Sequence, residues 1–259
     1  MRDSAVLLPD ARREAILGAL ARDGRVVATQ LAAALGVSDD TVRRDLDELA
    51  ASGRVRRVRG GALPAAASTP PRMAERIEHA TPAKAAVAAR AAALLADEDV
   101  VSFGGGTTCL AVARLLATDG RSRQVLTTSP DVALALADAP GEVLLAGGRL
   151  EPDSRTTVGA EAIDAVRRVR PGVAVLGACS LHPAVGLTTY CAGEAEVLRE
   201  QAACAGRLMV ATEGVKLGST AAHVVAAADD VAQLVTDAAS APDAELTALR
   251  ALGVEVVLA

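Results

Sequence analysis

Apolar residues recur with helical periodicity through residues 11–51. The pattern predicts three helices, and Gly24 and Gly36 follow the first two, where a glycine commonly ends a helix. Ser38 precedes the third helix as a candidate N-cap, with acidic residues in the first turn behind it. The positions predicted to face inward are Ala15, Ile16, Ala19, Leu20, Leu31, Leu35, Val42, Leu46 and Leu49.

A different pattern occupies residues 53–61, which have the sequence GRVRRVRGG. Alternating valine and arginine ending in two glycines predict a half-buried hairpin. Three helices, a glycine turn, arginines on the third helix and this hairpin together predict a winged helix-turn-helix that binds DNA. The alternative is a helical bundle whose charges are merely solvated. The wing would place four arginines on phosphates: Arg54, Arg56, Arg57 and Arg59.

Beyond residue 76, short apolar runs alternate with helical segments. The runs are VVSF, QVLTTS, EVLLAGG, GVAVLGA, RLMVATEG, AQLVTDA and VEVVLA. Because they are apolar on both faces, they predict a mostly parallel sheet covered by helices, an α/β fold. The preceding LPAAASTPPRMAER is rich in alanine and proline and predicts a semi-rigid linker. We therefore expect a DNA-binding domain at 1–62, a linker at 63–76 and a larger domain at 77–259.

Small and polar residues follow the predicted strands, at the places where open parallel sheets bind ligands. VVSF leads into GGGTT and then a helical segment, and backbone N–H groups at a glycine-rich helix start suit a phosphate. A tight turn that binds nothing is the alternative for this one segment, but several such strand ends in one sheet favour a phosphate site. The candidate residues are Gly105, Gly106, Thr107, Thr108, Ser129, Gly147, Gly148 and Lys216.

The net charge of −5 disfavours nucleic-acid binding when the chain is taken as a whole. The distribution of charge changes that conclusion, because residues 1–63 carry +2 and the remainder carries −7. A basic stripe on an otherwise acidic chain is typical of a small DNA-binding head on a larger body. Aromatic residues make up 1% of the chain, so a surface that stacks bases on aromatic rings is not expected.

The four cysteines lack CxxC spacing, which disfavours a zinc site or a disulfide framework. No apolar run approaches the roughly 18 residues of a membrane span, and the first residues lack the apolar region of a signal peptide. We therefore expect a cytoplasmic protein with no membrane partner, metal or cofactor. Cys109, Cys179 and Cys191 fall near the candidate site, so a redox or metal sensor is an alternative to buried free thiols.

Residues 36–62, GVSDDTVRRDLDELAASGRVRRVRGGA, resemble the N-terminal signature of the DeoR family of bacterial transcriptional regulators, with its T-[IV]-R-R-D-L helix and its wing ending in GGA. The larger domain resembles the family's sensor domain, which is similar in fold to ribose 5-phosphate isomerase and binds phosphorylated sugars. The resemblance implies that these residues face DNA: Ser38, Thr41, Arg43 and Arg44, with Arg57 and Arg59 on the wing.

Family motifs continue along the larger domain, where 106–108 match D-x-G-T-T. The other matching residues are Ser129, Gly147, Gly148, Glu194 and Lys216, with Arg76 and Lys84 at positions usually basic. The departures are Gly104, Cys179 and Glu213, each in place of an Asp, Val215 in place of a Ser, and Leu198 in place of a Lys. An isomerase needs carboxylates and a lysine for proton transfer, so catalysis is not expected. The expected effector is a phosphorylated small molecule that either carries fewer hydroxyls than the usual sugar or is held by groups outside these motifs.

Together with these patterns, the family resemblance implies a transcriptional regulator, a repressor of sugar or related metabolic genes that is controlled by a phosphorylated effector. One DNA-binding head buries too little surface to select a genomic site, so we expect a homo-oligomer, a dimer or tetramer, on double-stranded operator DNA. Two rival interpretations remain. One is a phosphosugar enzyme with an accessory head, and the other is an architectural DNA binder whose larger domain only oligomerises.

Overall fold

The structure is a computed structural model that describes residues 9–23, 26–51, 55–58, 60–64, 73–78 and 81–259. The chain divides into two compact units, Met1–Thr69 and Pro70–Ala259. Each unit has its own apolar core, as expected when two parts of a chain fold as separate domains.

The N-terminal unit folds into three helices and a small antiparallel sheet. Its elements are α1 (Pro9–Asp23), β1 (Val26–Val27), α2 (Ala28–Leu35), α3 (Asp39–Ala51), β2 (Val55–Val58) and β3 (Gly61–Pro64). The strands lie in the order β1-β3-β2, so β2 and β3 form the predicted wing hairpin, with Gly60 at φ 85° in its turn. Ile16, Leu46 and Leu49 are fully buried, which confirms the helical pattern.

One face of the wing strand β2 carries both an apolar and a basic side chain. Successive side chains of a strand alternate between its two faces, and Arg57 comes two residues after Val55 in β2. Arg57 therefore shares the face of Val55, which is buried. The side chain of Arg57 turns toward α3, where its Nε donates to Asp47 Oδ1.

The C-terminal unit is built on a seven-stranded sheet. Its helices are α4 (Met73–Glu78), α5 (Pro82–Leu94), α6 (Thr107–Leu116), α7 (Pro130–Leu136), α8 (Ala160–Arg167), α9 (Ala192–Cys204) and α10 (Asp243–Ala251). The strands of the main sheet are β4 (Val100–Phe103), β5 (Arg123–Thr127), β6 (Gly141–Leu145), β9 (Val173–Gly177), β12 (Arg207–Ala211), β14 (Val231–Thr236) and β15 (Glu255–Leu258). Two smaller sheets pair β7 (Arg149–Glu151) with β8 (Thr156–Val158), and join β10 (Ser180–His182), β11 (Gly186–Thr189) and β13 (His223–Ala226).

The main sheet is parallel throughout, in the order β15-β14-β12-β9-β4-β5-β6. Its strands are the seven apolar runs of the sequence, which confirms the predicted α/β fold. Val173 and Val175 pack in one apolar cluster and Ala174 and Leu176 in another. Alternate residues of β9 thus enter two cores, as they do in a sheet covered by helices on both faces.

The ends of the predicted linker, 63–76, are structured. Residues 63–64 complete β3 and residues 73–76 begin α4, whose Met73 is fully buried in the core of the C-terminal unit. Within the ranges that the structure describes, no helix is both long and apolar enough to cross a lipid bilayer. The same ranges contain no cluster of three or more His, Cys, Asp or Glu residues suited to hold a metal ion.

Candidate functional site

The start of α3 has the cap that the sequence predicts. Ser38 Oγ accepts a hydrogen bond from the backbone N–H of Thr41 at 3.2 Å, and the hydroxyls of Ser38 and Thr41 lie 2.9 Å apart. Gly36 ends α2 in the left-handed conformation, at φ 66°. Both hydroxyls therefore fix the entry into α3, and Ser38, which is exposed, retains lone pairs for a further contact.

Two arginines of α3 extend into solvent. Arg44 is exposed, and the side chain of Arg43 is 54% exposed, with its Nη1 3.9 Å from Asp40 Oδ1. A surface ion pair of this length contributes about 0–1 kcal/mol, so it leaves Arg43 free to bind another anion. The helix thus presents two adjacent cations near its N-terminal half, as a DNA-reading helix does.

The wing arginine Arg57 is held inside the unit. Its Nε donates to Asp47 Oδ1 and its Nη1 to the carbonyl oxygen of Gly61, both at 2.6 Å. The bond to Asp47 ties the wing to α3. The predicted phosphate contact of Arg57 would therefore use a guanidinium group that also bonds Asp47 and Gly61. Arg54 and Arg59 lie outside the described residues, as does the side chain of Arg56.

A buried ion pair joins α1 to the face of α3 that lies against the core. Both oxygens of Asp45 accept hydrogen bonds from Arg12, one from Nε and one, at 3.1 Å, from Nη2. The side chains are only 9% and 4% exposed. Because two parallel N–H···O bonds fix the orientation of both groups, the pair sets the position of α3 in the unit.

The carboxyl ends of the central strands of the C-terminal unit form one edge of the sheet. Phe103 of β4 pairs in register with Thr127 of β5 and Val175 of β9, and Gly177 pairs with Ala211 of β12. Segments that follow these four strands therefore emerge side by side. This arrangement gathers the predicted strand-end residues along one crevice.

The glycine turn after β4 has a conformation that requires glycine. Gly106 is the N-cap of α6 at φ 103° and ψ 160°, a region open almost only to glycine. A Cβ on Gly105 would collide with Thr156 Cγ2. The half-buried Thr107 and the buried Thr108 begin α6, where free N–H groups and the helix dipole favour an anion.

The other glycines and the serine have different positions. Ser129 is buried and caps α7, its Oγ accepting from the N–H of Val132 at 3.4 Å. Gly147 and Gly148 are exposed after the edge strand β6, and Gly148, at φ 122°, lies against the Val158 carbonyl. This glycine pair follows the strand that lies two positions from β4 in the sheet.

Lys216 extends from the turn after β12 toward the end of β9. Its Nζ donates to the carbonyl oxygen of Ala178 at 3.0 Å, and burial lowers the pKa of its ammonium group. Beside it, Cys179 Sγ lies 3.5 Å from Thr189 Oγ1, which in turn donates to Glu194 Oε2 at 2.6 Å. A cation, a thiol and a carboxylate thus share the crevice.

Two of the cysteines near the crevice, Cys109 and Cys179, are in environments that favour the neutral thiol. Burial raises the pKa of Cys109 to about 12 and also raises the pKa of Cys179, where the charge of Glu194 adds to the effect. The thiol of Cys191 donates to Glu151 Oε2 at 3.6 Å. Because the thiolate is the reactive species, these environments favour the structural interpretation of the thiols over the redox one.

Several residues of the crevice escaped the sequence-based prediction. Glu213 accepts a hydrogen bond from Thr81, the N-cap of α5, and its other oxygen is 3.9 Å from Lys84 Nζ. Arg76 of α4 lies close enough for its charge to act on Lys216. The signal for Arg76 and Lys84 was basic character at family-typical positions, which indicates charge but not where the charge points.

Asp237, also missed, supports the turn that carries Lys216. Its Oδ1 accepts from the N–H of Gly214 at 2.8 Å, and its Oδ2 accepts from the N–H and hydroxyl of Ser240 at 2.8 and 2.7 Å. Burial alone raises the pKa of this carboxyl, but the hydrogen bonds outweigh burial and hold the pKa below its usual range. The signal was TDA at a strand end, where an aspartate can bond neighbouring backbone N–H groups.

Replacing Asp237 with Asn is expected to lower the free energy of unfolding at neutral pH by about 1–3 kcal/mol, because an amide group would face the donors of Ser240. A depressed folded-state pKa stabilises the protein above the unfolded pKa of about 3.9, and this stability is lost as the pH falls through the folded value. The difference in the free energy of unfolding between wild type and Asp237→Asn should therefore shrink below about pH 4. Urea unfolding at several pH values measures it, with the exposed Asp138→Asn as control.

Two departures from the family pattern occupy adjoining positions. A Cβ on Gly104 would lie 3.0 Å from Leu176 Cδ2 and 3.1 Å from Leu198 Cδ2. The places where the family has an Asp and a Lys are thus in contact, and here both are apolar. The amide of the fully buried Gln201 lies behind them and donates to Ser102 Oγ at 2.9 Å.

Known proteins match both units. Residues 12–66 match the family model of a DeoR-like helix-turn-helix domain, and residues 79–238 match that of the DeoR C-terminal sensor domain. The chain is 32% identical to the HTH-type transcriptional regulator GlpR of Haloferax volcanii, over 89% of this chain and 91% of that one. It is 30% identical to the HTH-type transcriptional repressor GlcR of Bacillus subtilis, over 87% of each. Ribose 5-phosphate isomerase A from Neisseria gonorrhoeae is 18% identical over 52% of each chain, with a TM-score of 0.37.

Proposed function

Because this chain belongs to the DeoR family of transcriptional regulators, we propose that it represses genes of sugar or related metabolism and that a phosphorylated small molecule controls it. Its relatives are named as regulators and repressors, which implies regulation rather than catalysis. The N-terminal unit binds operator DNA. The C-terminal unit senses the effector at the carboxyl edge of its sheet.

The conformation of the glycine turn at 104–106 carries the effector half of this proposal. The N–H groups of Gly105 and Gly106, the start of α6 and the ammonium group of Lys216 supply positive charge along one edge of the sheet. A dianionic phosphate is the ligand that such a set favours. The residues proposed to bind the effector are Gly105, Gly106, Thr107, Thr108, Ser129, Gly147, Gly148, Glu194 and Lys216.

The rest of the crevice favours an effector with few hydroxyls. Sugar hydroxyls are bound by carboxylates and amides, but Gly104 and Leu198 offer neither. Cys179 is a weak hydrogen-bond partner where the family has a carboxylate. We therefore propose a phosphate ester whose remaining part is compact and only partly polar.

Calorimetric titration of the full chain tests this function. The probes are triose phosphates, hexose 6-phosphates and inorganic phosphate, each paired with its unphosphorylated counterpart where one exists. We expect a triose phosphate to bind more tightly than the hexose 6-phosphates and the unphosphorylated compounds not to bind. Binding of an unphosphorylated compound alone would contradict the proposal, and DNA binding that no probe alters would favour the architectural alternative.

On the DNA, Arg44→Ala is expected to reduce binding to the preferred sequence by about 1–3 kcal/mol while changing non-specific binding little, because an exposed arginine on α3 can bond a base edge. Arg57→Ala should weaken binding to all sequences, because it frees the wing from Asp47. Anisotropy titrations over a range of salt, with a duplex selected by the wild-type chain and a scrambled duplex, measure both. Identical effects of the two variants would refute this division of roles.

A single reading head makes too small a contact to select one genomic site, so we propose that the chain acts as a homo-oligomer of at least two copies. A two-fold assembly would place two α3 helices on successive major grooves of a palindromic operator. Sedimentation of the full chain with and without the selected duplex measures the assembly. A monomer bound to a single half-site would count against it.

A further inference from the structure

Helix α4 joins the C-terminal unit directly after the chain leaves the N-terminal one. Neither matched family segment, 12–66 or 79–238, includes it. Met73 is fully buried among the residues of that unit's core, and its N–H donates to the Asp153 carbonyl in the β7–β8 turn at 2.9 Å. The start of α4 is therefore anchored beside the glycine turn, because Thr156 of the same hairpin packs on Gly105.

Arg76 of this helix has a buried atom without a partner. Its Nε is shielded from solvent and, among the residues that the structure describes, nothing accepts its hydrogen bond. An unsatisfied buried donor on a charged group is rare, because removing that group from water is costly. A ligand atom that accepts a hydrogen bond could therefore bind at Arg76 Nε.

Arg76 comes three residues after Met73 on the helix anchored beside the glycine turn, and its charge acts on four groups of the crevice. Burial raises the pKa values of Cys179, Tyr190 and Glu194 and lowers that of Lys216. The positive charge of Arg76 lowers all four pKa values, so it opposes burial at the first three groups and adds to it at Lys216. The crevice therefore holds two cations that repel each other, an arrangement that an anion between them would relieve.

The carboxylates that could neutralise Arg76 are engaged elsewhere. Glu194 accepts the hydroxyl of Thr189, and Glu213 is bonded to Thr81 and paired with Lys84. Arg76 differs from these groups in having a donor that is buried but unused. A phosphate is suited to fill this gap, because the planar guanidinium fork matches phosphate oxygens.

We propose that Arg76 binds the phosphate of the effector together with Lys216 and the glycine turn, and that α4 transmits this binding to the segment that leads to DNA. The proposal rests on the effector site proposed above. It adds Arg76 as a ligand of the phosphate and α4 as the element that responds when the site is occupied. Only residues 65–72 separate α4 from β3 of the DNA-binding unit. A ligand that holds α4 more tightly in one of two states shifts the equilibrium between them.

The test uses the full chain, inorganic phosphate as the probe and sodium chloride to match ionic strength. Arg76→Gln is expected to weaken phosphate binding about 10- to 100-fold, the range for loss of charge-assisted hydrogen bonds. Arg76→Lys keeps the positive charge but lacks the two parallel N–H donors of the guanidinium, so it should bind phosphate with intermediate affinity. If Arg76→Gln does not fold, the comparison of Arg76→Lys with wild type tests the proposal. The control Arg90→Gln makes the same change at an exposed position of α5 and should bind like wild type.

Hydrogen exchange of the amides of α4, with and without phosphate, measures the transmitted effect. We expect phosphate to slow exchange in the wild-type chain and in Arg90→Gln, and to have little effect in Arg76→Gln at equal phosphate. Equal affinity in wild type and Arg76→Gln would overturn the role of Arg76 while leaving the effector site intact. Unchanged α4 exchange in a phosphate-bound wild-type chain would overturn the transmitting role, and no phosphate binding by wild type would overturn the effector site itself.

Discussion

Asp45→Ala is expected to lower the free energy of unfolding of the N-terminal unit by about 3–5 kcal/mol, because it leaves the buried Arg12 without its bidentate partner. A domain of about 60 residues has little stability to spare, so a loss of this size unfolds a large fraction of it at ambient temperature. DNA binding should fall in the same proportion. The C-terminal unit has its own core and should keep its phosphate affinity.

Glu48→Ala is the matched control for this change. Glu48 is also a carboxylate of α3 and pairs with Arg13 at 2.5 Å, but its side chain is 59% exposed. An exposed pair contributes about 0–1 kcal/mol, so this variant should unfold and bind DNA nearly as wild type does. Hydrogen exchange is measured for the amides of α1 and α3 and, separately, for those of the parallel sheet. The comparison shows in which unit Asp45→Ala lowers stability. Equal protection in both variants would mean that the buried pair does not stabilise α3.

The sequence predicted the elements because their signals are local. Each apolar run became a parallel strand, since burial on both faces is visible in the run itself. Ser38 and Gly36 predicted the boundaries of α2 and α3, because a cap depends on residues within one turn. The glycine turn was predicted for the same reason, as a strand that leads into glycines and then a helix.

The sequence could not predict contacts between distant residues. Asp45 shares a face of α3 with Val42 and Leu49, but the sequence does not show that its partner is Arg12, 33 positions earlier. Arg76 lies in a stretch whose proline and alanine content predicted a linker, and only the packing of Met73 places it at the crevice. The contact between the positions of Gly104 and Leu198 is likewise invisible from either position alone.

Gly104→Asp is expected to lower the free energy of unfolding of the C-terminal unit by about 3–6 kcal/mol, because the new side chain meets two leucines and buries a carboxylate without a partner. The nearest polar atom, Gln201 Oε1, is an acceptor 3.8 Å from the new Cβ and would repel the charge. The carboxylate would also stand beside the glycine turn, where it opposes a phosphate. We therefore expect both stability and phosphate affinity to fall.

Adding Leu198→Lys should recover part of both losses, since it supplies the opposite charge at the adjoining position. Gly104→Asp with Leu198→Ala is the control, because it relieves the overlap without adding a charge. Urea unfolding of the single and double variants gives the coupling free energy, which we expect to favour the Asp–Lys pair by about 0.5–3 kcal/mol. If the Ala double variant recovers as much as the Lys one, overlap alone explains the loss. That outcome would contradict the interpretation that Gly104 and Leu198 replace an interacting Asp–Lys pair.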